Sequence, residues 1–169
     1  MKHFIVIDMQ NDFCTGALKN DAAVAIIPRI KAELQTAKAN GDNIIFTRDT
    51  HFDGYLETGE GKHLPVKHCL QNTEGWEIVP ELKEEIDDKT TIIDKLHFGY
   101  ENWGNYVKPN DEITIVGTCT DICVVSNALA LKMIEGVEVK VIADCCAGLT
   151  PESNEAALTT MKMCQCEIV

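Results

Sequence analysis

The sequence predicts an α/β fold: a three-layer α/β/α sandwich around a mostly parallel, Rossmann-like sheet of six strands in the order 3-2-1-4-5-6. Three observations favour this fold class. Apolar runs alternate with helical patterns along the chain, which is typical of a parallel sheet between helix layers. Most of the runs are continuously apolar, as strands buried on both faces are. The chain has 169 residues, the length of one domain, predicted to span residues 1–169.

The predicted strands are short and rich in Ile, Val and other apolar residues. Each is bounded by polar or turn-forming residues, and each is too short for a typical helix. In chain order, the segments are HFIVID, NIIFTRD, TTIIDK, DEITIVG, VEVKVIAD and CQCEIV. Between the second and third strands lies a long polar stretch, Thr50 to Gly75. A connection of that length within a compact domain is usually functional.

The predicted helices show apolar residues at helical spacing and recognisable end signals. In chain order, the segments are DAAVAIIPRIKAELQTAKANG, WEIVPELKEEI, DICVVSNALALKMIEG and TPESNEAALTTMKM. We expect Asp21 to cap the first helix and Gly41 to end it, with Pro28 marking either a kink or a later start. In the last helix, Thr150 is the expected cap, and Ser153 suggests a capping box.

Charge and cysteine content exclude several classes of function. Fifteen basic residues against 27 acidic ones give a net charge of −12, so we expect neither nucleic-acid binding nor anionic-membrane binding. The first apolar run is short and broken by Asp8, which predicts a soluble, cytoplasmic protein without a signal peptide or membrane span. Eight cysteines without a C-x-x-C pair argue against zinc ribbons and thioredoxin-like sites.

Candidate site residues lie at the predicted carboxyl ends of strands. Parallel α/β sheets bind ligands beyond that edge, and no G-x-G-x-x-G or P-loop motif indicates a nucleotide. The candidates are Asp8, Asp49, Lys95, Asp144 and the turn from Gly117 to Cys123.

Cys123 is the candidate nucleophile among these residues. It follows a strand, a turn and a cap at Thr120 or Asp121, so we expect it in the first turn of a helix. Free backbone N–H groups and the helix dipole should lower the pKa of a cysteine there. Cys119 lies before the capping positions and would contribute its backbone N–H, an arrangement that suits acyl transfer. Asp8 could serve as the base, although a charged strand end is often only a solvated terminus.

Three segments together resemble a known family. IVIDMQNDF, a Lys that closes the third strand, and VGTCTDICV are similar to the signatures of the isochorismatase-like cysteine hydrolases. The resemblance implies a catalytic triad of Asp8, Lys95 and Cys123. It also implies a cis peptide bond between Thr118 and Cys119, and an oxyanion hole formed by the backbone N–H groups of Cys119 and Cys123.

The polar stretch resembles the metal site of the nicotinamidase/pyrazinamidase branch of that family. In TRDTHFDGYLETGEGKHLPVKHC, the implied ligands are Asp49, His51 and His68. One carboxylate and two imidazoles suit zinc, or manganese or iron. Leu64 stands where the branch often has Trp, so His63 remains an alternative to His68. Glu60 is a further candidate for the ligand set.

The resemblance implies a metal-dependent amidase that acts on nicotinamide or a similar small amide through a thioester on Cys123. The metal would orient the substrate through its ring nitrogen rather than supply the nucleophile. The resemblance also implies a homo-oligomer, and Phe13 matches the position that stacks on the substrate ring. Looser candidates for the aromatic wall are Trp76, Phe98, Tyr100 and Trp103.

Two alternatives stay open. One is a related cysteine hydrolase with another substrate, such as a carbamoylated amine or a vinyl ether of the isochorismate type. The other is a non-catalytic metal- or ligand-binding protein on the same fold.

Overall fold

The computed structural model describes all 169 residues, Met1–Val169, and centres on one six-stranded parallel sheet. The strand order is β3-β2-β1-β4-β5-β6, and every neighbouring pair is parallel. The predicted fold class and strand order are confirmed. The strands are β1 (Lys2–Ile7), β2 (Asn43–Asp49), β3 (Thr91–Lys95), β4 (Glu112–Thr118), β5 (Glu138–Ala147) and β6 (Glu167–Ile168).

Helices cover both faces of the sheet. The α-helices are α1 (Asn11–Cys14), α2 (Asp21–Asn40), α3 (Gly59–His63), α4 (Pro80–Lys83), α5 (Val125–Lys132) and α6 (Pro151–Met163). Single 3-10 turns lie at Tyr55–Glu57, Glu74–Trp76 and Trp103–Asn105, and a π-helical turn at Thr120–Val124 leads into α5. None of the helices combines the length and the apolar character that a membrane crossing requires.

The ends of α2 agree only in part with the prediction. Asn20 caps the helix, because its side-chain oxygen accepts a hydrogen bond from the backbone N–H two residues later at 3.0 Å; the expected cap, Asp21, is the first helical residue instead. Gly41 ends the helix as predicted, in the left-handed region at φ 80°, which glycine adopts without steric cost. Pro28 lies inside the helix, so it does not mark a later start.

The later helices differ in length from the prediction. α4 is a single turn, far shorter than the predicted segment, and α5 stops at Lys132. The start of α6 is confirmed: Thr150 and Ser153 form a capping box, in which each side chain accepts a hydrogen bond from the other residue's backbone.

Two apolar layers hold the helices against the sheet. Alternate side chains of a strand point to opposite faces, so Phe4 and Val6 of β1 belong to one layer while Ile5 and Ile7 belong to the other. α2 packs its apolar side chains, such as Leu34, into the first layer, while α5 and α6 pack into the second. This packing leaves the carboxyl ends of the strands together at one edge.

A buried polar network closes the opposite, amino edge of the sheet. His3 Nδ1 accepts a hydrogen bond from the Asn43 amide at 3.0 Å, so Nε2 carries the proton and donates to Asp111 Oδ2 at 3.0 Å. Burial raises the pKa of Asp111, but the hydrogen bonds that it accepts outweigh burial and hold the pKa well below its usual range. The donors are the Met1 amino group, the Lys108 backbone N–H and His3.

Candidate active site and metal centre

Three predicted charged residues lie buried at the carboxyl edge of the sheet. Asp8 follows β1, Asp49 ends β2 and Lys95 ends β3, and none is more than 3% exposed. Asp144 is not among them. The prediction that it ends its strand is wrong, because β5 continues to Ala147 and the Asp144 side chain is exposed.

Lys95 reaches across β2 to the residue that follows β1. Its Nζ lies 2.5 Å from Asp8 Oδ2, 3.6 Å from Cys123 Sγ and 3.1 Å from the His97 carbonyl oxygen. The long lysine side chain therefore brings one ammonium group into contact with a carboxylate and a thiol that follow different strands.

Asp8 is held in an unusual backbone conformation by a neighbouring strand. Its φ is 47°, a left-handed value that is uncommon for residues other than glycine and is frequent at functional sites. Thr47 of β2 fixes the side chain, since its hydroxyl donates to Asp8 Oδ1 at 2.6 Å and accepts from the Asp8 N–H at 3.2 Å. No local pattern in the sequence indicates Thr47, because pairing between β1 and β2 is what brings it to Asp8.

The turn after β4 places Cys119 and Cys123 on the same loop. The peptide bond between Thr118 and Cys119 is cis, as expected. Cys119 holds the N-cap position of the π-helical turn and no side chain caps that turn, so the predicted caps Thr120 and Asp121 are wrong. The Cys119 carbonyl accepts two backbone hydrogen bonds from the turn, at 3.1 and 3.0 Å, while its own N–H donates to no protein acceptor.

Gly117 permits the close approach of β4 to β1 just before this turn. Its φ is 126°, and a Cβ at this position would lie 2.1 Å from the Ile7 carbonyl oxygen. A larger residue would therefore push apart the two strands that carry the turn and Asp8.

Burial dominates the ionisation of the thiol. Burial raises the pKa of Cys123 well above its usual range, although Lys95 acts in the opposite direction. The predicted low pKa is therefore wrong. Burial also raises the pKa of Asp8 despite Lys95. For Lys95, burial would lower the pKa, but the charges of Asp8 and Cys123 outweigh burial and raise it. Burial therefore favours the neutral thiol of Cys123, and the neighbouring charges favour the ammonium form of Lys95.

Four metal-binding side chains converge next to this cluster. One ligand atom from each of Asp49, His51, Glu60 and His68 lies within 4.8 Å of all the others. His51 Nε2 is 2.8 Å from Asp49 Oδ2 and 3.5 Å from Glu60 Oε1. His51 Nε2 and Asp49 Oδ1 are buried without a well-formed hydrogen bond, and such atoms are normally satisfied. Two imidazoles and two carboxylates with unsatisfied atoms fit a divalent metal ion.

His63 lies outside this cluster. It is exposed at the end of α3, where its Nδ1 hydrogen-bonds the Gly59 carbonyl oxygen at 2.8 Å. Glu60 belongs to the cluster because α3 is a short helix that directs it inward. The capping of α3 by Thr58, whose hydroxyl accepts from the Gly61 N–H at 3.0 Å, fixes that direction.

Side chains around the metal-ligand cluster hold its members in place. Gln10 accepts a hydrogen bond from the Asp49 N–H at 2.7 Å and donates to the Asp49 carbonyl at 2.9 Å. His68 Nδ1 donates to the Val66 carbonyl at 2.8 Å, leaving Nε2 as the atom that faces the cluster. Tyr55 packs its ring against His68 at 5.1 Å. Such supporting contacts orient metal ligands, and nothing local in the sequence indicated Gln10 or Tyr55.

A cavity of about 460 Å³ joins the thiol and the metal-ligand cluster. Phe13 and Phe98 both line it, whereas the other aromatic candidates do not. Trp103 lies in the apolar core and donates to Asn127 at 3.1 Å. The lining residues are Phe13, Ala17, Leu18, Lys19, Asp49, Glu60, Leu64, His68, Phe98, Cys119, Ile122, Cys123 and Leu149.

A parallel α/β fold with a buried thiol, carboxylate and ammonium at its carboxyl edge is typical of hydrolases that use a cysteine nucleophile. Comparison with family models identifies the group: the model described as the isochorismatase domain matches residues 2–169. The chain therefore belongs to the isochorismatase family.

Individual relatives carry consistent names. The chain is 26% identical to the nicotinamidase/pyrazinamidase of Mycobacterium tuberculosis, covering 100% of this chain and 98% of that one. Among solved structures, the pyrazinamidase of Pyrococcus horikoshii in complex with zinc is 34% identical with a TM-score of 0.84, covering 99% and 98% of the two chains. The pyrazinamidase/nicotinamidase of Streptococcus mutans is 28% identical with a TM-score of 0.86 over 100% of both chains.

Proposed function

We propose that this chain is a metal-dependent cysteine amidase that hydrolyses nicotinamide, or a close small amide, to the acid and ammonia. One observation carries the proposal: the cavity is lined both by Cys123 and by three residues of the metal-ligand cluster, Asp49, Glu60 and His68. Lys95 links them, since its Nζ lies 3.6 Å from Cys123 Sγ and 3.6 Å from Asp49 Oδ1. The names of the relatives support nicotinamide as the substrate.

The first half of the reaction forms a thioester. Asp8 takes the thiol proton as Cys123 Sγ attacks the amide carbonyl carbon, and the nearby Lys95 ammonium stabilises the sulfur as it becomes negative. The N–H groups of Cys119 and Cys123 stabilise the oxyanion of the tetrahedral intermediate. Asp8 then returns the proton to the departing nitrogen as the C–N bond breaks, releasing ammonia.

The second half restores the thiol. Water attacks the thioester carbonyl carbon while Asp8 accepts one of its protons, and the C–S bond breaks as that proton passes to the sulfur. The carboxylic acid leaves and Cys123 is again neutral. A raised pKa makes Asp8 a better proton acceptor than an exposed aspartate, which is why its burial suits both halves.

The residues that would orient the substrate lie at the opposite end of the cavity from Cys123. Asp49, His51, Glu60 and His68 would hold the metal ion, for which we propose zinc, with manganese or iron as alternatives. When bound, the metal supplies a Lewis acid that can accept the ring nitrogen of the substrate. Phe13 lines the cavity beside His68, with ring centroids 5.7 Å apart, and provides an apolar face for a pyridine ring.

Ammonia release from nicotinamide tests this function. Purified protein should release ammonia when loaded with zinc and lose that activity after chelation. Cys123→Ala should abolish turnover without unfolding, while Cys166→Ala, at a buried cysteine outside the cavity, should retain it. Activity that survives in Cys123→Ala would overturn the mechanism. No release by the zinc-loaded protein would overturn the substrate.

Assembly, location and domain organisation remain predictions. We propose a homo-oligomer that acts in the cytoplasm and whose residues 1–169 form one domain. Sedimentation equilibrium measures the number of subunits, and fractionation of the source cells tests the cytoplasmic location. A single domain should unfold in one cooperative transition.

A further inference from the structure

We propose that the mouth of the cavity is an apolar subsite for a substituent on the substrate ring, so that the substrates include nicotinamides with an apolar group at ring position 5. This inference rests on the proposed function, because it assumes a pyridine carboxamide in the cavity. The proposed substituent is attached to the side of the substrate ring that faces away from Cys123 and the metal-ligand cluster.

The exposure of the lining residues defines the floor and the mouth of the cavity. The polar residues His68 and Cys123 are 3% and 5% exposed and form the floor. Leu64, Phe98 and Leu149 are 38%, 45% and 61% exposed and form the rim. The reacting groups are thus buried, while three of the exposed lining residues are large and apolar, which is uncommon on an ordinary protein surface; Lys19 is the exposed charged residue beside them.

The rim residue Leu149 is held in place. Its backbone N–H donates to Asp121 Oδ2 at 2.9 Å, and the same carboxylate accepts a hydrogen bond from Ser153 at the start of α6. These hydrogen bonds fix the backbone at Leu149, and with it the point of the rim from which the side chain extends.

The cavity is larger than a single pyridine ring requires. Pockets of roughly 300–1,000 Å³ accommodate drug-sized ligands, and this one measures about 460 Å³ with nine hydrophobic residues among thirteen. A pyridine carboxamide that contacts both Cys123 and the metal-ligand cluster fills only the floor. Apolar volume remains between the ring and the rim.

The geometry of the substrate selects the ring position. The carboxamide on carbon 3 must meet Cys123, and the ring nitrogen faces the end of the cavity formed by Asp49 and His68. Carbon 2 lies between these two groups, so its edge faces the floor, where Lys95 is 1% exposed. Carbon 5 is opposite carbon 2 and therefore points to the mouth.

Charge favours an apolar substituent over an anionic one. Lys19 is the only cationic side chain among the lining residues, and it already pairs with Asp21 at 3.2 Å in a solvent-exposed contact. Glu60, whose backbone carbonyl accepts a hydrogen bond from the Leu64 N–H at 2.8 Å, adds a carboxylate to the lining.

A panel of three amides tests the subsite: nicotinamide, 5-phenylnicotinamide and 2-methylnicotinamide. Binding is measured by calorimetry on zinc-loaded Cys123→Ala, which cannot turn the amides over, and kcat/KM on the unsubstituted enzyme. An apolar group in a fitting pocket changes affinity by about 10–200-fold. Because the rim is half open, we expect 5-phenylnicotinamide to bind about tenfold tighter than nicotinamide, and 2-methylnicotinamide to bind roughly a hundredfold weaker because it meets the floor.

Two variants locate the effect. Leu149→Asp should reduce the preference for 5-phenylnicotinamide over nicotinamide about tenfold. Met133→Asp, at an 87% exposed apolar residue outside the cavity, should leave that ratio unchanged. If 5-phenylnicotinamide binds more weakly than nicotinamide, the proposed subsite is refuted. This result is expected if the rim packs against a second copy of the chain. Failure of the proposed function is distinguishable, since then none of the three amides is hydrolysed.

Discussion

Replacement of Lys95 by Met removes the ammonium group that pairs with Asp8 while keeping a side chain of similar volume. Lys95 is buried and lies 2.5 Å from Asp8 and 3.6 Å from Asp49. Without it, Asp8 loses its ion-pair partner, while Asp49 keeps its contacts with His51 and His68. Breaking a buried pair by removing one partner costs about 3–5 kcal/mol, which is a large share of the roughly 5–15 kcal/mol stability of a typical domain.

The same change should impair catalysis. Lys95 lowers the pKa of Asp8, so loss of the ammonium raises that pKa further and leaves less of the carboxylate form to accept the thiol proton. Loss of a general base reduces kcat by about 10²–10⁴-fold. Urea unfolding followed by circular dichroism gives the free energy of unfolding, and ammonia release gives kcat.

Two controls define what would refute this reasoning. Lys89→Met, at an exposed lysine on the loop before β3, should change stability by less than about 0.5 kcal/mol. The double variant Asp8→Asn/Lys95→Met should lose less than the sum of the two single variants, because the residues are in contact. A loss below about 1 kcal/mol for Lys95→Met would contradict the view that Lys95 stabilises the buried carboxylate of Asp8.

Three further predictions follow from other contacts. His68→Ala should weaken metal binding more than about 100-fold in a chelator competition assay, because loss of a supporting contact alone costs 10–100-fold; His63→Ala should have no effect, and equal losses would contradict the ligand set. Because the pKa of Asp111 is held below its usual range, its stabilising contribution is present at neutral pH and lost as the pH falls below about 4. The urea midpoints of wild type and Asp111→Asn should therefore differ at pH 7 and converge in acid, and a constant difference would contradict this. Thr150→Ala should destabilise the protein by about 1 kcal/mol through loss of the α6 cap, whereas Thr150→Ser should retain most of it.

The fold was predictable because the sheet is parallel and buried. Continuous apolar runs marked the strands, and β2 has the predicted boundaries, Asn43–Asp49. Boundaries set by side-chain hydrogen bonds were less predictable. Asn20 and Asp21 are adjacent and chemically similar as caps, and only the backbone conformation of Asn20 distinguishes them.

The site was predictable where residues follow strands and not where distant side chains meet. Asp8, Asp49 and Lys95 each adjoin a strand end, and the sheet order brings them together. Thr47 and Gln10 support these residues through contacts between strands that no local pattern shows. The predicted shift of the Cys123 pKa had the wrong direction. A position at a helix start suggested a low pKa, whereas burial of the thiol raises the pKa.

The proposed mechanism depends on a thioester between the Cys123 sulfur and the acyl group of the substrate. The most direct measurement is rapid acid quench of the zinc-loaded protein during turnover of nicotinamide, followed by mass spectrometry of the intact chain and its peptides. We expect a mass increase equal to one nicotinoyl group on the peptide that contains Cys123, and no such adduct in Cys123→Ala. Turnover without an adduct, or an adduct on Cys119 instead, would contradict it.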